Sequence, residues 1–207
     1  MYEKDMKIGF FIEPDPFFTN YVNKEKKLVK KIFGNQTFLS HLPHITLYVS
    51  NFYKSDLLKI IKKIKKNKLF KSHLRINIYG THIFYNDKFS NGNVLIYRVK
   101  KSQVLQDFQS QIIKIFHKKR ISKKSFKKDT SFLNNNIIKF GYPFVGNTWI
   151  PHLTVCSLRN NYVNQKYVRD FLKKKINYSF ISNNIKIYKI MNDKHILIDI
   201  IKFNEKK

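Results

Sequence analysis

At 207 residues the chain is the size of one domain, or of one domain with two lobes. Its 41 Lys and Arg against 13 Asp and Glu give a formal charge of +28, which points to an anionic partner, most simply RNA, another nucleic acid or a nucleotide. A single cysteine, Cys156, excludes an intramolecular disulfide and suggests a reducing compartment.

The segment Met1-Tyr2-Glu3-Lys4-Asp5-Met6-Lys7 lacks a signal-peptide layout, and no apolar run approaches the roughly 20 residues of a membrane span. A monomeric, cytoplasmic protein with no membrane contact is expected. The Lys- and Asn-rich, Gly- and Pro-poor composition is also what an AT-rich genome drifts toward. The charge therefore supports a phosphate partner without establishing one.

Ile8 to Ile12 is a short apolar run stopped by Pro14 and Pro16, and predicts a buried strand. Asn20 to Phe33 has helical spacing, with Gly34 as C-cap. Pro43 leads into the β-branched and aromatic strand Ile45-Thr46-Leu47-Tyr48-Val49. Ser55 caps a predicted helix to about Lys68, apolar at Leu57, Leu58, Ile61 and Ile64, with a lysine-rich opposite face that reads as solvated. Two strands follow, near Leu74–Phe84 and Val94–Val99, joined by a turn containing Asn91-Gly92-Asn93.

Ser102 or Gln103 opens a helix to about Lys118. Residues 119–136 are polar and basic and read as a long loop. Pro151 leads into a strand from Leu153 to Ser157, followed by a helix from about Gln165 to Lys175. Two strands, near Ile181–Ile190 and His195–Phe203, close the chain.

This order repeats. Each half, about 1–100 and 101–207, reads helix, Pro-His-x-Thr strand, helix, strand, strand, with the motifs 108 positions apart. An internal duplication implies an α+β fold, with two antiparallel sheets lining a central cleft and helices packed outside.

Pro43-His44-Ile45-Thr46 and Pro151-His152-Leu153-Thr154 carry the chemistry. Side chains at i and i+2 of a strand share a face, so each His-Thr pair points one way and its aliphatic neighbours the other. Two imidazoles and two hydroxyls converging on one spot suit phosphodiester cleavage. One imidazole takes a proton from the attacking oxygen and the other gives one to the leaving oxygen. Thr46 and Thr154 can donate to the non-bridging oxygens. No metal and no cofactor is required. Chance supplies roughly 0.2–0.3 His-x-Thr triplets in such a composition, so one copy means little and two at equivalent points of a repeat mean much more.

The sequence resembles the two-histidine (2H) phosphoesterases, which include 2′-5′ RNA ligase-like enzymes and RNA 2′,3′-cyclic phosphodiesterases. The resemblance rests on both motifs, the opening strand Ile8-Gly9-Phe10-Phe11-Ile12, and Gly141-Tyr142-Pro143. It implies a bilobal duplicated fold, catalysis by His44 and His152, and phosphate contacts from Thr46 and Thr154.

It further implies a phosphodiesterase acting on RNA 2′,3′-cyclic ends or 2′-5′ linked oligonucleotides. Signalling nucleotides and RNA 3′ ends are alternative substrates, and a non-catalytic RNA-binding module is an alternative role. The acid and base are not fixed by near symmetry; the preference is His44 as acid and His152 as base. Tyr48 and Cys156 extend the His-Thr faces and are candidates for the cleft floor. Tyr142, Phe144 and Trp149 are candidates for base stacking, and Lys139 and Arg159 for phosphate contact. Cys156 is not expected to act as a nucleophile, and the remaining histidines lack ligand-like spacing.

Overall fold

The computed structural model describes residues 5–67, 70, 73–121, 132–163, 165–191 and 194–203. The elements run β1 (Met6–Ile12), α1 (Pro16–Phe33), β2 (Ile45–Phe52), α2 (Lys54–Lys66), β3 (Leu74–Asp87), β4 (Gly92–Val99) and α3 (Gln103–Phe116). They continue through α4 (Phe132–Phe140), β5 (His152–Leu158), α5 (Lys166–Leu172), β6 (Tyr178–Ser182), β7 (Asn184–Met191) and β8 (Lys194–Lys202).

Local chemistry sets several boundaries. The Asp15 carboxylate accepts the Phe18 N–H at 2.8 Å and Pro16 takes the first turn, so α1 starts before Asn20. Gly34, at φ 70°, closes it as expected. Ser102 caps α3 through the Leu105 N–H. Ser55 lies inside the first turn instead of at the cap: α2 begins at Lys54, and its N-cap Tyr53 makes no side-chain capping bond.

Two segments depart from expectation. Part of the 119–136 loop is the start of α4, where Phe132 opens a helical turn; residues 122–131 lie outside the described residues. The run 181–190 is not one strand. It breaks at Asn183, where the chain leaves one sheet for the other.

There are two four-stranded antiparallel sheets. The first has the order β2-β1-β7-β8 and the second β5-β4-β3-β6. The sheets do not follow the sequence halves. The β3–β4 hairpin of the first half pairs with β5 of the second, and the β7–β8 hairpin pairs with β1. Helices cross over similarly, α1 against β5 and α3 against β2. Neither half therefore has a sheet of its own, and both motif strands, β2 and β5, are edge strands brought side by side.

Behind the sheets lies an aromatic and aliphatic core. Phe10, Tyr48, Phe52 and Phe116 cluster under the first sheet, and Phe18, Tyr97 and Phe171 under the second. A buried carboxylate, Glu25, sits in it. It accepts from Tyr97 Oη (3.2 Å), Tyr167 Oη (2.6 Å) and Lys174 Nζ, which offsets its desolvation. Among the described residues no helix is long and apolar enough to cross a membrane.

Candidate active site

The predicted alternation holds through each motif. Ile45, Leu47, Leu153 and Val155 are fully buried, while His44, Thr46, His152 and Thr154 are half-buried. It then stops. Phe11 pairs with Thr46 but Phe10 with Tyr48, leaving Leu47 as an extra residue. Likewise Ile96 pairs with Thr154 but Leu95 with Cys156, leaving Val155 over. Both motif strands thus bulge at the residue after the threonine, and a bulge re-aims the side chains beyond it.

Tyr48 and Cys156 accordingly point into the core, both fully buried, and do not form the cleft floor. Tyr48 donates its hydroxyl to the Phe140 carbonyl at 2.5 Å. Burial pushes the Cys156 thiol up to about 12, which suits an inert side chain.

Each histidine is held the same way. His44 Nδ1 lies 2.7 Å from the Leu42 carbonyl, and His152 Nδ1 lies 2.7 Å from the Ile150 carbonyl. A carbonyl only accepts, so Nδ1 carries the hydrogen in both rings and Nε2 is the titrating atom. The intervening proline, Pro43 or Pro151, has a fixed φ that presents this carbonyl to the ring two residues on.

The strands also brace one another. Trp149, just before the second motif, donates Nε1 to the Thr46 carbonyl at 3.0 Å. Buried Gln109 donates to the carbonyl of the bulged Leu47 (3.2 Å) and to that of Phe144 (2.9 Å). In return Thr37, in the segment before the first motif, bridges to Ser157 of β5.

The cleft is two joined cavities. One of about 320 Å³ is walled by Phe84, Phe89, Tyr142, Phe144, Trp149 and His152; the other, about 150 Å³, by His41, Leu42 and His44. Phe38, Thr46 and Thr154 line both, so the two threonines sit where the His44 cavity and the His152 cavity meet. Of the predicted stacking residues, Tyr142 and Phe144 face this space, and Trp149 lines it while almost wholly buried. Lys139 and Arg159 are exposed and line neither cavity; Lys139 sits over the Phe140 ring.

Sequence reasoning missed several neighbours. His44 stacks on Phe11, with ring centroids 3.9 Å apart, and His195 of β8 lies 5.1 Å away. Burial pushes the His44 imidazole down to about 3. His195, His41 and Lys26 push the same way, against the Leu42 hydrogen bond. Burial also lowers His152, but there the Ile150 hydrogen bond and the Asp87 carboxylate oppose it. One ring has Lys26 and two further imidazoles for neighbours, and the other has the Asp87 carboxylate. Neither His195 nor Asp87 is signalled by spacing, because strand pairing alone brings them in. Among the described residues no group of three or more His, Cys, Asp or Glu side chains is placed to hold a metal ion.

Gly9 is the seat of the Phe11 ring: a Cβ there would lie 2.2 Å from Phe11 Cζ. Phe11 is 2% exposed and wedged between His44 and Tyr188, so it has nowhere to go. Gly9→Ala is expected to cost about 1–3 kcal/mol in a denaturant melt, and a few-fold in turnover as Phe11 pushes on His44.

The family model described as AKAP7 2'5' RNA ligase-like domain matches residues 18–195. No curated protein matches the sequence. Among solved structures, TT0787 of Thermus thermophilus aligns at TM-score 0.63 and 10% identity, covering 98% of this chain and 100% of its own. E. coli LigT complexed with 3'-AMP aligns at TM-score 0.59 and 9% identity, covering 97% and 99%. At these identities the structures speak for the fold, and the match across residues 18–195 for the family. The chain belongs to the AKAP7 2'5' RNA ligase-like family of the 2H phosphoesterase superfamily.

Proposed function

We propose that this chain is a metal-independent phosphodiesterase acting on RNA 2′,3′-cyclic phosphate ends or 2′-5′ linkages, with His44 as base and His152 as acid. One observation carries the reading. Two imidazoles, each fixed with Nδ1 protonated and Nε2 left to titrate, line two cavities that share Thr46 and Thr154.

The asymmetry around them supports the order of events. His44, lowered by burial and by the Lys26 charge, stays unprotonated and takes a proton from water arriving through the smaller cavity. The water oxygen forms a bond to phosphorus and the bond to one ribose oxygen breaks. Protonated His152, near Asp87, gives that oxygen its proton. Thr46 and Thr154 donate to the non-bridging oxygens, where charge accumulates. The larger, aromatic cavity on the His152 side suits the nucleoside, which puts the leaving oxygen beside the acid. This order is the reverse of the sequence-based preference.

The test is a phosphodiester panel assayed in EDTA: 2′,3′-cyclic mononucleotides, cyclic-ended oligomers, 2′-5′ oligoadenylates and RNA 3′ ends. Turnover in EDTA, with product identification, is the expected result. RNA binding without turnover of any member would instead make the chain a binding module, and loss of turnover in EDTA would rule out the metal-independent mechanism.

A further inference from the structure

Beyond the cleft, the open face of the second sheet carries a strip of aromatic and basic side chains that no catalytic step uses. It starts at His152. Arg98 of β4 pairs directly with His152, so both side chains share a face. Phe84 of β3 meets the His152 ring edge-on at 5.2 Å, and His82 meets Phe84 at 5.4 Å. Arg98 then lies 4.6 Å from the centroid of the Tyr79 ring. Tyr79 is 46% exposed, and His82, Arg98 and Arg75, farther along β3, are exposed as well. From β5 to β3 the strip spans two strand spacings, about 10 Å.

We propose that this strip, Phe84, His82, Arg98, Tyr79 and Arg75, is a track for single-stranded RNA running outward from the phosphate held at the two motifs. The proposal rests on the phosphodiesterase reading for its starting point and makes the substrate an oligomer.

Three features commit the face to this occupant. It is continuous with the cleft, since Phe84 belongs to both. Its exposed charges are basic, in a chain of +28, and match a phosphate backbone. Its aromatics alternate with those charges, the arrangement that stacks unpaired bases and tracks the backbone. Partial burial lowers the His82 pKa, and the positive charge of Arg98 lowers it further, which places both groups in one patch. The corresponding face of the first sheet differs. There Glu13 accepts from Lys186 and Tyr188, so the lysine's charge is already matched by a carboxylate. A cation already matched by a carboxylate suits a polyanion less well.

The experiment is fluorescence anisotropy of the full chain with a labelled oligouridylate of about a dozen nucleotides, and with the dinucleotide, over a range of salt. The oligomer should bind much more tightly than the dinucleotide. Tyr79→Ala should weaken oligomer binding about 10-fold by removing one stacking platform. Arg98→Gln should reduce the logarithmic salt slope by about 0.7 to 1, the loss of one phosphate contact. Both residues are exposed, and melting curves should show unchanged folding. Equal affinity for oligomer and dinucleotide, or wild-type binding by both variants, would overturn the track. Hydrolysis of 2′,3′-cyclic UMP, measured alongside, reports separately on catalysis. Length-dependent binding without hydrolysis keeps the track and removes the catalytic reading, while hydrolysis without length dependence removes only the track.

Discussion

His44→Ala and His152→Ala are each expected to lower kcat/KM on a 2′,3′-cyclic nucleotide by about 10²- to 10⁴-fold, the range for losing a positioned acid or base. The two losses should not add. An acid and a base serving one displacement act as a unit, so the double variant should be little worse than the poorer single one. Stability should change far less. Both rings are half-buried, and each makes one side-chain hydrogen bond, to a backbone carbonyl two residues back. His44→Ala removes a ring stacked on Phe11 at 3.9 Å and His152→Ala a looser edge-on contact with Phe84 at 5.2 Å, so His44→Ala should be the more destabilising, by less than about 1 kcal/mol. Initial rates and thermal melts on the same preparations check this. Wild-type rates in either variant would mean that the motif histidines serve the fold rather than the reaction.

Much of this site was legible in the sequence because strands impose a strict period. Once Pro43 and Pro151 start strands, His and Thr must share a face and Ile45 and Leu153 must share the other, as their burial shows. The period fails where the backbone leaves it. The bulges at Leu47 and Val155 are set by pairing with β1 and β4, so nothing local warned that Tyr48 and Cys156 turn inward. The strand exchange is equally non-local. The apolar character of 181–190 suits two strands in different sheets as well as one strand in one sheet, and only the break at Asn183 separates them. His195 and Asp87, which distinguish the two histidines, arrive through that exchange.

Lys26 gives the second large effect, and it acts at a distance from the substrate. It is buried on α1, and its Nζ donates to the Phe38 carbonyl (2.6 Å) and the His41 carbonyl (2.9 Å). Those bonds hold the segment leading into the first motif, including Phe38 in the left-handed region at φ 69°. That conformation costs a phenylalanine about 1–2 kcal/mol, so it relaxes when its restraint goes. Burial lowers the Lys26 ammonium to about 8, so it is costly to keep charged, and removing it relieves that cost. Two carbonyls left unpaired cost about 1–3 kcal/mol each. These terms oppose each other, and Lys26→Met should change stability by less than about 2 kcal/mol at neutral pH while lowering kcat/KM about 10-fold as Phe38 leaves the cleft wall.

The pH dependence separates charge from positioning. The Lys26 cation helps lower His44, so its loss raises the His44 pKa and moves the acidic limb of kcat/KM to higher pH. Lys26→Gln, whose amide can still donate to both carbonyls, should keep more of the rate and show the same shift. Stability carries its own signature. An unfolded Lys26 binds its proton up to about 10.5 and the folded one only to about 8, so the wild-type protein gains stability as pH rises through that window. Both variants should lose that gain. An unmoved acidic limb in Lys26→Gln would mean that Lys26 holds the loop but does not tune the base.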